Sequence, residues 1–117
     1  MVDNFRVVIN IKKTILYLDK IITNFPAKEK VLKDKISQTM YDILEFTYMA
    51  SEFKDKRSYY QTRIVVNIKM TDFYLKIAVD KKYISYKKYQ KVSLHLLDIL
   101  KQIYGWMRNE KKTESIW

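Results

Sequence analysis

Two residues in this chain can punctuate a backbone by themselves: Pro26 and Gly105, each the only one of its kind among 117 residues. Hairpins, sheet bends and long loops rely on Gly and Pro for φ values that other residues resist. A chain this poor in both is left with long helices and short links.

Apolar spacing agrees with that constraint. Val8, Ile11, Ile15, Leu18 and Ile22 step by three and four residues, which predicts a first helix from Asp3 or Asn4 to Asn24. Either of those two polar residues could supply the N-cap oxygen. Asn24-Phe25-Pro26 then breaks the helix, because the residue before a proline avoids the helical region. A second helix is predicted from about Pro26 to Phe53, on the row Leu32, Ile36, Thr39, Ile43, Phe46, Ala50 and Phe53. Lys54-Asp55 makes a short link, with Asp55 as candidate N-cap for the third helix. Ser85 is the candidate N-cap for the fourth. That helix carries the row Tyr89, Val92, Leu96, Ile99, Ile103, Trp106 and a second row Leu97, Leu100, Tyr104, Met107. Four helices of about twenty residues joined by short links predict an all-α, antiparallel up-down-up-down four-helix bundle. Residues 1–108 form that bundle in this reading. The aperiodic end NEKKTESIW, residues 109–117, reads as a flexible tail.

The third helix is unusual. Between Tyr59 and Lys82 one row runs Tyr60, Ile64, Ile68, Thr71, Leu75, Ala78, and a second runs Tyr59, Val66, Met70, Phe73, Ile77. At about 100° per residue the rows lie on different sides of the helix. A helix in a small bundle needs one apolar face, so the second row needs another cover. We expect it to be an oligomer interface.

Charge is as uneven as apolarity. The net charge is +10, from 23 Lys and Arg against 13 acids. Residues 26–53 nearly cancel. Residues 54–82 hold eight bases and three acids, and residues 83–117 hold seven and three, so the second half carries nine of the ten charges. Such a field attracts polyanions. The candidate contacts are Arg63, Lys69 and Lys76 on the third helix, with Lys81, Lys82, Lys87 and Lys88 at its junction with the fourth. Tyr83, Tyr86 and Tyr89 stand among the junction lysines, a mixture suited to phosphate contact with base stacking.

Catalytic chemistry has little to stand on. The chain has no Cys and a single His, His95. That leaves no thiolate, no paired-histidine metal motif and no base with an evident orienting partner except Asp98. Gly105 alone makes no phosphate loop. No catalytic residue, metal site or cofactor is expected. No apolar run reaches the ~20 residues a membrane span needs. No signal-peptide pattern opens the chain. A cytoplasmic protein is the expectation.

Three segments resemble one known family. NFPAKEKVLKDKI (Asn24 to Ile36) is similar to its F-P-K junction into helix 2, with Ala27 inside the pattern. LKIAVDKKYISYKKYQKVS (Leu75 to Ser93) is similar to its basic third helix, turn and x-x-K-x-Y start of helix 4. LLDILKQIYGWMR (Leu96 to Arg108) is similar to its closing Gly-Gly-Trp pattern, with Tyr104 in place of the first Gly. The family is that of Avd, the accessory variability determinant of diversity-generating retroelements. Related bundle proteins encoded in ribosomal RNA intervening sequences carry an I-P-S-N-I-A-E-G-like segment that has no counterpart here. The resemblance implies a homopentameric barrel. It also implies a reverse transcriptase and its template RNA as partners, with DNA as a second polyanion, in mutagenic complementary-DNA synthesis. It implies no catalytic role for the protein itself. The rival reading is a structural scaffolding bundle of the ribosomal RNA intervening-sequence kind.

Overall fold

The computed structural model describes residues 2–116, and side chains from Arg6 to Lys111. Among the described residues the chain forms four α-helices: α1 (Val2–Ile22), α2 (Lys30–Glu52), α3 (Arg57–Asp80) and α4 (Tyr86–Ile116). Short 3-10 turns, Ala27–Glu29 and Lys54–Lys56, precede α2 and α3. No strand occurs among the described residues. Each helix packs on its two neighbours, α1 on α2 and α4, α3 on α2 and α4. Short links make neighbours antiparallel, and the result is a rod of 53 × 23 × 20 Å.

Where the rows meet, they make the core. Ile11, Leu18, Ile36, Met40, Ile43, Ile64, Leu75, Ile99 and Ile103 are shut off from water. Each such aliphatic side chain contributes about 1.5–3 kcal/mol by burial. Across the α2–α3 seam Thr39 meets Thr71, and both helices bury further small residues, Thr47 and Ala50 on α2 and Ala78 on α3. The Thr71 and Thr39 hydroxyls lie 2.7 Å apart across that seam, and each also has a backbone carbonyl of its own helix in reach. One hydroxyl donates across the seam and the other donates to its own helix, so neither is left unsatisfied.

Several expectations shift. In α1 the buried set is Val7, Ile11, Thr14, Leu18, Ile21 and Ile22, while Val8 and Ile15 are half-buried. The helix ends at Ile22 rather than Asn24, and α2 starts after a 3-10 turn rather than at Pro26. The expected N-cap side chains Asp3 and Asn4 lie outside the described ones. Asp55 does not cap α3: it lies within the 3-10 turn, and Lys56 precedes the helix with no side-chain cap. Phe53 leaves the core because the backbone turns out of the helix there, and half of its surface is exposed. Ser85 does cap α4, its Oγ accepting from the Lys88 N–H at 3.1 Å.

The α4 helix runs past Arg108 to Ile116, so residue 108 is not a helix end. Apolar period marks a packed face rather than helicity, and nothing from Asn109 onward breaks a helix. Glu110 there forms an ion pair with Arg57 at 2.7 Å.

One end of the rod is clamped. Glu29, before α2, accepts from Tyr83 Oη at 2.7 Å and Lys81 Nζ at 3.0 Å. The Phe25 and Tyr83 rings lie 5.6 Å apart beside it. The α3 helix closes with Tyr83 N–H on Ala78 O and Lys82 N–H on Val79 O. This is the Schellman pairing, whose penultimate position needs a left-handed residue. Lys82 fills it, at φ 64°.

Candidate nucleic-acid and assembly interface

The outer face of α3 is built from the second row. Tyr59, Val66 and Phe73 are 60%, 43% and 52% exposed, and Met70 and Ile77 are half-buried. The first row explains why: Ile64, Ile68, Thr71, Leu75 and Ala78 are all buried, and at about 100° per residue the second row points nearly the opposite way. The chain therefore presents an apolar strip to solvent along one helix. Beside it, between α3 and α4, runs a groove of about 200 Å³ lined by Ile68, Lys69, Asp72, Ser93, Leu96, Leu97 and Leu100.

Bases flank the strip on both sides. Helical spacing sets Arg63 on the α2 side, where its guanidinium lies over the Phe46 ring, 5.7 Å from the centroid. Lys69 and Lys76 lie on the α4 side. Thirteen residues separate Arg63 from Lys76, about 20 Å of helix, so Arg63 does not share a patch with the junction lysines.

The seven candidates also differ in what already neutralises them. Lys76 Nζ lies 3.2 Å from Asp72 Oδ2, and that contact raises its pKa. Asp72 Oδ1 in turn accepts from Tyr89 Oη at 2.7 Å. Lys81 is paired with Glu29, which raises the lysine pKa. The Tyr83 hydrogen bond first, and Lys81 second, lower the pKa of Glu29. Lys69, Lys82, Lys87 and Lys88 are exposed and make no ion pair with the described residues. Lys82 lies in the α3–α4 turn, and Lys87 and Lys88 lie in the first turn of α4.

The expected stacking cluster shrinks on inspection. Tyr89 is buried, and burial followed by the Asp72 contact raises its pKa. Tyr83 is held by Glu29, and that hydrogen bond raises its pKa. Only Tyr86 presents a largely exposed ring, tilted against Tyr89 at 5.9 Å. The spacing of Tyr83 and Tyr89 among lysines hid their reach to carboxylates distant in sequence.

His95 is exposed, with its ring edge-on to Tyr17 at 5.9 Å. No group of acids and histidines among the described residues is placed to hold a metal ion. No helix among them is long and apolar enough to cross a membrane. Sequence reasoning missed Arg57 and Gln61 at the other end of the rod. The signal was present in Gln61, a polar residue three positions before Ile64 on the buried face.

A family model described as bAvd-like matches residues 6–110. No curated protein and no solved structure matches the chain.

Proposed function

The chain belongs to the bAvd-like family, and from that premise we propose a non-catalytic accessory protein that binds a reverse transcriptase and its template RNA. It would support mutagenic complementary-DNA synthesis in a diversity-generating retroelement. The outer face of α3 is the observation that carries this reading. Three large apolar side chains stand in water there between bases, although the helix's opposite face already fills the core.

In this reading the apolar strip is covered by a second copy, and copies close into a ring. Five subunits follow from the family resemblance alone. Closing the ring repeats each lysine cluster around the assembly. Linked weak sites raise apparent affinity through effective concentration. Lysines on helix surfaces meet phosphates rather than base edges, so little base specificity is expected. The free bases at Lys69, Lys82, Lys87 and Lys88 are the first candidates, with Tyr86 as the stacking ring. Arg63, Lys76 and Lys81 join them more weakly, since each already has a partner within the chain.

Three measurements test the proposal. Light scattering at micromolar concentration should return a closed multiple of 14.3 kDa. RNA affinity should fall steeply with salt, with a log–log slope of roughly −0.7 per phosphate contact on single strands. Co-purification with a reverse transcriptase of the same retroelement should survive nuclease treatment. A monomer that ignores RNA near physiological salt would leave the structural-bundle reading ahead.

A further inference from the structure

The chain carries a second exposed apolar face, on the side of the bundle away from the α3 strip. Each helix packs on two neighbours, so the α1–α2 side lies opposite the α3–α4 side. Leu16 of α1 and Tyr41 and Tyr48 of α2 are 67%, 53% and 47% exposed, as open as the strip itself, and Ile9 of α1 is exposed with them. Contacts between the two helices place these residues on one side. Lys12 Nζ of α1 lies over the Tyr48 ring, 5.8 Å from its centroid. Ile9 and Leu16 stand three residues before and four after Lys12, on the same side of α1. Tyr41 borders a crevice with Ile15 and Asp19 of α1. The α1–α4 side is polar by contrast: Asn10 donates to Asp98 at 3.3 Å, and Lys91 lies over Tyr17 at 5.6 Å.

The two apolar faces match in spacing and oppose in charge. On α3, Val66 and Phe73 are seven residues apart, and Lys69 and Lys76 each follow one of them by three. On α2, Tyr41 and Tyr48 are seven apart, and Glu45 and Glu52 each follow one of them by four. Seven residues span about 10 Å of helix, so each face sets an apolar pair beside a charged pair at the same pitch, with opposite signs. Glu45, Glu52 and Lys69 are exposed and make no ion pair with the described residues. Lys76 pairs with Asp72 of its own helix. Residues 26–53 are also the one stretch where acids outnumber bases, five to four. A strip that met its own copy would make a twofold contact and set lysine against lysine, which is repulsive. A strip that meets a different face of the next copy makes a head-to-tail contact, and such contacts close into rings.

We propose that the α1–α2 face, centred on Tyr41 and Tyr48, receives the α3 strip of a second copy, with Glu45 and Glu52 against that copy's Lys69 and Lys76. This rests on the reading that copies of the chain cover the strip, and adds which surface covers it. Lys69 then borders the seam, so its loss weakens RNA binding through the assembly as well as by direct contact.

Three proteins are compared by light scattering over a range of concentrations: the unmodified chain, Phe73→Glu, and Tyr41→Glu with Tyr48→Glu. The unmodified chain should assemble. Each variant alone should need at least tenfold more protein to do so, with its far-ultraviolet helical signal intact. Mixed in equal amounts, the two variants should form a species of twice 14.3 kDa, because one keeps the strip and the other keeps the face that receives it. A tyrosine variant that assembles like the unmodified chain, or a mixture that stays monomeric, would overturn the proposal and leave the assembly reading standing. A monomeric unmodified chain would remove both. Glu45→Lys with Glu52→Lys covers the case of a tyrosine variant that does not fold. It should weaken assembly several-fold, and adding Lys69→Glu with Lys76→Glu to the same chain should restore it, as expected of groups in direct contact. Reversed acids that leave assembly unchanged, or a doubly reversed chain that stays weak, would also overturn the proposal.

Discussion

The two faces of α3 are written in the same code and end in opposite places. Ile64, Ile68, Thr71, Leu75 and Ala78 are buried, whereas Tyr59, Val66 and Phe73 stand in water. Both rows follow helical spacing and both are apolar. The inner row differs in size: it mixes Ile and Leu with Thr and Ala, which lets α2 approach closely. The outer row is bulkier, with a tyrosine, a phenylalanine and a methionine, the types enriched where proteins meet partners. The buried and the exposed row of one helix thus carry different side chains, although the period is shared.

The largest effect should come from breaking the inner face. Leu75 is fully enclosed, so Leu75→Ala removes buried methyl groups and leaves a cavity. The expected loss is about 2–5 kcal/mol, read from the urea midpoint at constant m-value. Phe73→Glu attacks the outer face at a neighbouring position. In the proposed assembly it should drop the mass toward one chain while the far-ultraviolet helical signal persists. The isolated chain itself should change by no more than about 0.5 kcal/mol, as other surface substitutions do. Unfolding by Phe73→Glu would erase the distinction between the faces.

The comparison extends to the charges beside the outer strip. Lys69→Glu with Lys88→Glu removes two bases that no described residue neutralises. RNA binding should weaken by about tenfold or more, with a shallower salt slope. Lys28→Glu with Lys33→Glu, near the charge-balanced α2, makes the same change in net charge. Equal losses from both pairs would mean that only total charge matters and that no outer-face site exists.

How much of this the amino-acid order carried differs by element. The inner rows of α3 and α4 were legible almost residue by residue, because local spacing decides them once the helices form. In the row of α1, Ile11, Leu18 and Ile22 are buried as expected, while Val7 and Thr14 take the places of Val8 and Ile15. Val7 and Val8 are equally apolar, and only the neighbouring helices choose between them. The Asp55 cap failed for a related reason: a favourable cap residue cannot say whether the chain first makes a 3-10 turn. The least legible features were contacts between residues distant in sequence. Glu29 reaches Lys81 and Tyr83, and Arg57 reaches Glu110. Those contacts took Lys81 and Tyr83 out of the free basic cluster, and the Arg57 pair tied the start of α3 to α4, which no motif announced.

The smallest effect lies where both faces of α3 end. Lys82 holds the left-handed position of the closing turn, with φ 64°. An L side chain in that conformation costs roughly 1–2 kcal/mol, and glycine fits there without that penalty. Lys82→Gly should therefore stabilise the chain by about 1 kcal/mol, seen as a higher urea midpoint with the same m-value. The gain acts on folding alone, because the Ala78 and Val79 carbonyls keep their partners. The same change removes one of the free bases at the turn, so RNA affinity should fall slightly. Lys82→Ala separates the two contributions. It removes the charge and keeps the strain, so it should weaken RNA binding to the same degree without the gain in stability. A Lys82→Gly protein no more stable than Lys82→Ala would mean that the turn relaxes out of the left-handed conformation. If instead neither variant alters RNA binding, Lys82 serves only to close the helix, and the polyanion surface begins beyond it at Lys87 and Lys88.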